Sequence, residues 1–298
     1  MSTRHPLAGA GTALVTPFTA DGAVDEPSLR ALVRWQVEQG IRVLVPVGST
    51  GEAATLDAAE QERVIAITAE EVAGRIPVVA GVGTNDPRKV IASARAAVRA
   101  GATHLLVVSP MYSKPPQRGI VAHFRMIADA VERPVVLYNV PGRTASNMTA
   151  ETTLALAEHP NVVAMKEASG DLGQMREILR HRPAGFALLS GDDPITLEIM
   201  ADGADGVISV CSNAAPARVT ALCEAMLAGD GATARAHDEA LRPWYVAAFL
   251  ESNPIPVKAA LALMGRVQDV LRLPLVPLAD AHRPALRAAL VACGALPA

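Results

Sequence analysis

The chain has 298 residues, of which 50% are hydrophobic and 19% are charged, and its formal net charge is −3. This length is enough for one large domain, or for one domain with an appendage. The slight negative charge and the lack of a basic block make nucleic acid and anionic membranes poor candidates for partners, and no apolar run could span a bilayer.

Short, apolar, β-branched runs alternate with longer helical patterns along most of the chain. Their continuous apolar character is typical of parallel strands that are covered on both faces. Eight such runs predict strands, at residues 11–18, 42–48, 77–83, 104–110, 134–141, 162–169, 186–191 and 206–212.

Between these runs, apolar residues recur at spacings of three and four, which predicts amphipathic helices. Asp86 followed by Pro87 is a typical helix start, and Gly40, Gly74 and Gly101 occupy positions where helices end. Beyond the last strand, helices are predicted at residues 215–229, 232–250, 253–265 and 281–293, the third of them with Asn253 before Pro254 as its start.

Eight strand–helix units over about 230 residues are typical of a (β/α)8 TIM barrel. A doubly wound open sheet has the same alternation. It normally carries a GxGxxG turn after its first strand, where this chain reads VTPFTADG. We therefore predict an α/β protein with a TIM barrel over residues 1–229 and a C-terminal helical domain over residues 230–298.

The three cysteines and the N-terminal sequence bear on the compartment. Cys211, Cys223 and Cys293 are odd in number, far apart and without CxxC spacing, which is typical of free thiols in a reducing compartment. The starting sequence MSTRHPLAGAG has no apolar segment like the core of a signal peptide. We expect a cytoplasmic protein.

Barrel enzymes place their chemistry at the carboxyl ends of the strands. Alternation in the strand VVAMKEAS puts Val162, Ala164 and Lys166 on one face. If that face points into the barrel, confinement away from water favours the neutral amine, which attacks a carbonyl to form a Schiff base. The alternative is a lysine that reaches water or pairs with Glu167. The other polar groups at strand ends are Thr16, Ser49, Thr50, Ser109, Tyr112, Tyr138, Gly191 to Asp193, and Ser209.

Three further features near the same strand ends could contribute to a site. Tyr138 near an amine could move protons through the imine steps, although a core tyrosine is the simpler explanation. Arg143, in the turn PGRT, could clamp a carboxylate, or it could be a solvated loop arginine. The turn GSTGE at residues 48–52 could hold a carboxylate on its backbone N–H groups.

Other chemistry is disfavoured by what the sequence lacks. The seven histidines are scattered without an HExxH motif, so we predict no metal site. Phosphate sites in barrels use glycine-rich turns after the last two strands. Here Asp192 and Asp193 follow the seventh strand and would repel a phosphate. We therefore expect an unphosphorylated substrate, no pyridoxal phosphate and no other cofactor.

Seven segments taken together resemble the dihydrodipicolinate synthases, also called 4-hydroxy-tetrahydrodipicolinate synthases, of the pyruvate-dependent class I aldolase superfamily. The resemblance runs in order from about residue 8 to the C-terminus. It implies a lyase with a TIM barrel and a C-terminal helical domain, usually a homotetramer built as a dimer of dimers. The segments are GSTGEAATL, SPMYSKPPQ, YNVPGRT, KEASGD, LLSGDD, GVISV and NPIPVK.

The resemblance also implies an activity, in which pyruvate condenses with L-aspartate 4-semialdehyde in lysine and diaminopimelate biosynthesis. It assigns the Schiff base to Lys166 and general acid/base catalysis to Tyr138. Ser49 and Tyr112 would complete a proton relay, with Tyr112 reaching in from the neighbouring subunit. For binding, it assigns the pyruvate carboxylate to the N–H groups of Ser49 and Thr50, the semialdehyde carboxylate to Arg143, and the backbone lining of the pyruvate pocket to Gly191 and Ile208.

Ser49 departs from the family pattern, because most of these synthases carry threonine in GTTGE. A serine there is also common in N-acetylneuraminate lyases, so a related aldolase acting on a sialic acid or a 2-keto-3-deoxy sugar acid stays an alternative. Arg143 favours the synthase, because a carboxylate-bearing aldehyde needs that arginine. A non-catalytic barrel that senses a keto acid is a further alternative.

A second departure concerns feedback by L-lysine. Lysine-sensitive synthases hold this effector with histidines, an acidic residue and a stacking tyrosine. The matching positions here are Ala58, Gln61, Lys89 and Met111, with Asn85 retained. The Lys89 cation would repel the ammonium group of the effector, and Met111 supplies no aromatic face. We predict weak or absent inhibition.

Overall fold

Eight parallel strands form one sheet in the computed structural model, which describes residues 4–297. Their order in the sheet is β2-β1-β8-β7-β6-β5-β4-β3. The two edge strands meet through a parallel bridge between Leu44 and Val78, so the sheet closes into a barrel. The strands are β1 (Gly9–Ala13), β2 (Val43–Val45), β3 (Val79–Gly81), β4 (His104–Val108), β5 (Val135–Asn139), β6 (Val162–Glu167), β7 (Ala187–Ser190) and β8 (Gly206–Ser209).

The predicted TIM barrel is confirmed, and the open doubly wound sheet is wrong. The predicted strands ran too far at their carboxyl ends. The eighth, for example, was expected to reach residue 212 but ends at Ser209. Apolar character continues past the last ladder hydrogen bond because the loops that follow are also buried, so the sequence pattern does not mark the strand end.

Helices surround the barrel and continue beyond it. Asp86 caps its helix as predicted, since its side chain accepts from the N–H of Arg88. The helices are α1 (Glu26–Glu38), α2 (Ala58–Val72), α3 (Pro87–Arg99), α4 (Gln117–Ala130), α5 (Pro141–Thr144), α6 (Ala150–Ala157), α7 (Leu172–His181), α8 (Thr196–Ala201), α9 (Pro216–Leu227), α10 (Gly231–Ala247), α11 (Ile255–Leu263) and α12 (Arg283–Ala292).

The expected helix start at Asn253 is wrong. α11 begins at Ile255, and Asn253 makes no capping hydrogen bond to it. The Asn253 side chain reaches back to the barrel instead, and its Nδ2 donates to Thr50 Oγ1 at 2.9 Å. A hydrogen bond to a residue distant in the sequence therefore forms instead of a capping hydrogen bond within α11.

Two apolar layers hold the barrel. Small and branched side chains such as Ala13, Val136 and Ala164 fill its interior, and a larger layer separates it from the helices. The predicted face of β6 is right for Ala164 but wrong for Val162. Val135 pairs with Val162 and Val136 pairs with Ala164, so one extra residue bulges and Val162 packs on the outer layer.

The last helices pack onto the barrel, with α10 against α9 and α12. Trp244 on α10 is fully buried, and its Nε1 donates to the carbonyl of Cys211 at 2.9 Å. Cys211, Cys223 and Cys293 are free and buried, as expected of thiols. Among residues 4–297, no helix is both long enough and apolar enough to cross a membrane.

Candidate active site

A small cavity of roughly 70 Å³ opens at the carboxyl ends of the strands. Larger clefts lie between helices elsewhere, but no residue of a strand lines either of them. Of the eight site residues that the resemblance assigned, the structure brings six together around the cavity at the strand ends, namely Ser49, Thr50, Tyr138, Arg143, Lys166 and Gly191.

Lys166 is the amine of this cavity. It lies one residue before the end of β6, and its side chain is only 5% exposed. In the sheet, Lys166 pairs with Tyr138 of β5. The Lys166 Nζ lies 4.4 Å from the centroid of the Tyr138 ring. A nucleophilic amine and the face of a phenol ring are therefore neighbours in a confined space, and these are two groups that imine chemistry uses.

Gly191 leaves room for this amine. A Cβ at this position would lie 2.5 Å from Ala168 Cβ and 3.1 Å from Lys166 Cε. The N–H of Gly191 donates to the carbonyl of Glu167 at 2.6 Å, which fixes the turn after β7 against β6. Only glycine fits here without moving the lysine.

The turn after β2 offers backbone donors. Within residues 4–297, no backbone hydrogen bond uses the N–H of Ser49 or Thr50. The turn is fixed from behind, because Thr16 Oγ1 donates to the carbonyl of Gly51 at 2.7 Å. Thr16 therefore supports the turn, and the two N–H groups can hold an anion such as a carboxylate.

Asn253 joins two of the predicted binding residues. Its Nδ2 donates to Thr50 Oγ1, and its carbonyl accepts from Arg143 Nη2 at 3.0 Å. Asn253 itself lines the cavity, together with Phe249. Sequence reasoning missed both residues. The motif NPIPVK was a usable signal, because it was part of the resemblance, but its asparagine was interpreted only as a helix start.

A buried ion pair holds the same turn from the C-terminal side. Lys258 Nζ on α11 donates to Glu52 Oε1 at 2.6 Å, and both side chains have no exposed surface. Burial lowers the pKa of Lys258, and the Glu52 carboxylate opposes that shift. The other oxygen of Glu52 accepts from the N–H of Arg272 at 3.1 Å. This pair was also missed.

The two acids after β7 have different positions. Asp192 lines the cavity, and burial raises the pKa of its carboxyl, while the nearby Lys166 lowers it. Asp193 is buried and accepts from Ser209 Oγ and from the N–H of Val210 at 3.0 Å. The prediction that both acids face the substrate is thus wrong for Asp193. The hydroxyl of Ser209 donates to Asp193 and does not face the cavity.

Behind the cavity, a buried carboxylate follows the lysine. Glu167 is completely buried, and its oxygens accept from Asn139, Ser169 and Gln174. Burial raises the pKa of the Glu167 carboxyl, and these donors counteract the shift. It faces away from Lys166, so the pairing of the two residues that was considered from sequence is not formed.

The chain matches the model of the dihydrodipicolinate synthetase family over residues 6–293. It belongs to this family. A 4-hydroxy-tetrahydrodipicolinate synthase of Nitratidesulfovibrio vulgaris (strain DP4) is 50% identical to it over 289 residues, which cover 97% of this chain and 99% of the relative.

Solved structures give the same family. The dihydrodipicolinate synthase of Thermotoga maritima has a TM-score of 0.96 and 41% identity, covering 98% of this chain and 100% of its own. The chloride-inhibited dihydrodipicolinate synthase of Acinetobacter baumannii, complexed with pyruvate, has a TM-score of 0.95 and 42% identity. The match covers 97% of this chain and 100% of the other.

Two residues that the family resemblance assigned lie outside the cavity of the single chain. Tyr112 is 90% exposed, and its backbone φ of 65° is in the left-handed region, which costs on the order of 1 kcal/mol for a non-glycine residue. Ile208 is fully buried in the barrel interior, and Val210 lines the cavity in its stead. The buried Ser109, expected at a strand end, does not line it either.

Of the positions that match the family's lysine effector site, Asn85 and Met111 are in direct contact. Asn85 Oδ1 accepts from the N–H of Met111 at 2.8 Å. Gln61 Nε2 donates to the carbonyls of Ala53 and Leu56, each at 3.2 Å. The amide of Gln61 is therefore engaged with its own chain.

Proposed function

We propose that this protein is a 4-hydroxy-tetrahydrodipicolinate synthase, a lyase that condenses pyruvate with L-aspartate 4-semialdehyde in lysine and diaminopimelate biosynthesis. The observation that carries the proposal is the amine of Lys166, buried at a strand end 4.4 Å from the Tyr138 ring. The near full-length match to relatives of that name supports the choice of substrates.

Each binding group is assigned by its chemistry. The free N–H groups of Ser49 and Thr50 bind the pyruvate carboxylate. Arg143 binds the carboxylate of the semialdehyde through paired hydrogen bonds. Gly191 borders the space for the pyruvate carbon skeleton, whereas Ile208, which the resemblance also assigned to it, lies in the barrel interior outside the cavity.

Covalent catalysis starts at Lys166. Its neutral amine attacks the ketone carbon of pyruvate, and water leaves as the imine forms. The iminium nitrogen draws electrons from the methyl group, so a proton leaves and an enamine forms. The enamine carbon then attacks the aldehyde carbon. Finally, the amine of the semialdehyde adds to the imine carbon, Lys166 leaves, and the ring closes.

Protons for these steps pass through hydroxyl groups. Tyr138 acts as general acid and base beside Lys166. Ser49 and Tyr112 extend the relay to solvent, with Tyr112 supplied by a second copy of the chain. The 90% exposure of Tyr112 in the single chain supports this assignment. We propose a homotetramer built as a dimer of dimers, located in the cytoplasm.

The barrel over residues 1–229 and the helical domain over residues 230–298 share this site. No cofactor enters the proposed steps, because the protonated imine of Lys166 is the electron sink. The role of the helical domain is to hold Thr50, Arg143 and Glu52 through Asn253 and Lys258.

The first experiment supplies the purified protein with pyruvate and L-aspartate 4-semialdehyde, and follows NADPH consumption by an excess of the reductase that uses the product. We expect turnover that requires both substrates. Absence of turnover, with the reductase shown to be active, would overturn the proposed substrate pair. Borohydride reduction with pyruvate alone, followed by mass analysis of the Lys166 peptide, then tests the Schiff base separately.

A further inference from the structure

A second polar pair lies directly beside Lys166 and Tyr138. Asn139 follows Tyr138 on β5, and Glu167 follows Lys166 on β6. The register of the two strands pairs Asn139 with Glu167. Because successive side chains of a strand point to opposite faces, this second pair lies on the outer face of the barrel. Both of its side chains are completely buried.

The Glu167 carboxylate accepts from donors on three sides. Asn139 Nδ2 lies 3.1 Å from both of its oxygens. The N–H of Ser169 donates to Oε1 at 2.7 Å, and Gln174 Nε2 donates to Oε2 at 2.9 Å. Every one of these partners is a donor. A carboxylate, which only accepts, satisfies all of them, and an amide cannot.

Asn139 extends the same network to the loop after α5. Its Nδ2 also donates to Asn147 Oδ1 at 2.7 Å, and its Oδ1 accepts from the N–H of Met148 at 2.9 Å. The backbone is fixed at the same point, because Ala168 N donates to the carbonyl of Asn139 at 2.9 Å. The ends of β5 and β6 are thus tied to each other and to the loops that follow them.

We infer that Glu167 and Asn139 are positioning residues for imine formation, a role that rests on the proposed function. They fix the ends of two strands from the outer face. On the inner face, the Lys166 amine and the Tyr138 ring consequently keep their separation of 4.4 Å. Displacing a reacting group by about 1 Å can lower a rate by about 10²-fold.

The test is the isosteric variant Glu167→Gln. Its new NH₂ group would face a donor wherever it points, so the network has to rearrange. We expect the rate at which borohydride traps pyruvate on Lys166 to fall by about 10²-fold, with the cavity still able to bind pyruvate. Saturation of the trapping rate with pyruvate concentration separates binding from imine formation.

The double variant Glu167→Gln/Gln174→Glu supplies a rescue. The carboxylate at position 174 would accept from the new amide of residue 167, at the place where Gln174 Nε2 donates to Glu167 Oε2. The amide oxygen of residue 167 would still accept from Asn139 and Ser169. We expect this variant to recover most of the lost trapping rate.

Asp205→Asn is the control for stability. Asp205 lies just before β8, at the opposite end of the barrel, and its carboxylate accepts from Arg182 and from the N–H of Leu188 at 2.9 Å. We expect a lowered melting temperature and an unchanged trapping rate. A wild-type trapping rate in Glu167→Gln, or a loss no greater than that in Asp205→Asn, would overturn the positioning role. Absence of any Lys166 adduct in the wild-type protein would overturn the proposed function instead, and the positioning role with it.

Discussion

Lys258 on α11 and Glu52 in the turn after β2 form an ion pair of 2.6 Å with no exposed surface on either side chain. Removing one charge leaves the other buried without a partner, which typically costs about 3–5 kcal/mol. We expect Glu52→Gln to lower the free energy of unfolding in urea by an amount of that order. The exposed pair of Glu26 with Arg63 is the control, and Glu26→Gln should cost less than about 1 kcal/mol. Equal losses of unfolding free energy in Glu52→Gln and Glu26→Gln would contradict the conclusion that the buried pair stabilises the fold more than the exposed pair does.

Arg143 should determine the use of the second substrate. We expect Arg143→Ala to lower kcat/KM for aspartate semialdehyde by about 10²-fold, because the substrate carboxylate loses its charged partner. Trapping of pyruvate on Lys166 by borohydride should change little. A loss of both reactions to the same extent would show instead that Arg143 supports the whole site.

Gly191→Ala should block the lysine directly. The added methyl group would lie 2.5 Å from Ala168 Cβ and 3.1 Å from Lys166 Cε, so Ala168 or the turn must shift and the Lys166 side chain must give by a few tenths of an ångström. We expect the trapping rate to fall by at least about tenfold. Gly231→Ala, where the added methyl group meets nothing within 4 Å, is the control and should trap pyruvate at the wild-type rate. A wild-type trapping rate in Gly191→Ala would show that the turn after β7 accommodates the methyl group without displacing Lys166.

His104, at the start of β4, should make stability depend on pH. Burial lowers its pKa from the ordinary value of 6.5 to about 4. Between these values only the unfolded chain takes up the proton. The contribution of His104 to the free energy of unfolding is therefore fully present above pH 6.5, decreases as the pH falls towards 4, and changes no further below it. The loss is at most about 3 kcal/mol.

The measurement compares urea unfolding of the wild-type protein and of His104→Asn. We expect the difference in unfolding free energy between the two proteins to change in favour of the variant as the medium is acidified through this window. A difference that stays constant with pH would mean that His104 takes up its proton equally in both states.

Inhibition by L-lysine should be weak or absent. The Lys89 cation would repel the ammonium group of the effector, and Met111 offers it no aromatic face. We expect initial rates to stay unchanged up to millimolar L-lysine. An inhibition constant below the millimolar range would show this expectation to be wrong, and the variant Lys89→Ala would then identify whether the cation matters.

The barrel could be predicted from sequence because its signal repeats. Eight apolar runs separated by amphipathic helices leave few arrangements, and the absence of a GxGxxG turn disfavoured the open sheet. Strand ends were less accurate, since burial continues into the loops. The bulge that moves Val162 to the outer layer depends on how β5 pairs with β6, and apolar alternation within one strand does not contain that information.

Some residues around the cavity could also be predicted from sequence, and others could not. Lys166, Tyr138 and Gly191 lie at or next to strand ends, where a barrel places its chemistry. Asn253 and Lys258 bind partners 203 and 206 residues away in the chain. No local pattern reveals a contact over that distance. Their fragment, NPIPVK, looked like a helix start because proline and asparagine are common there.

The segment from Asn253 to Lys258 has a consequence for attempts to transplant substrate specificity among aldolases of this shape. Exchanging barrel loops alone would leave the imported turns facing an asparagine and an ammonium group that evolved against other partners. The amide contact with Thr50, the carbonyl contact with Arg143 and the ion pair with Glu52 would be lost in one step. A working chimera therefore has to carry this short piece of the helical appendage together with the loops it holds.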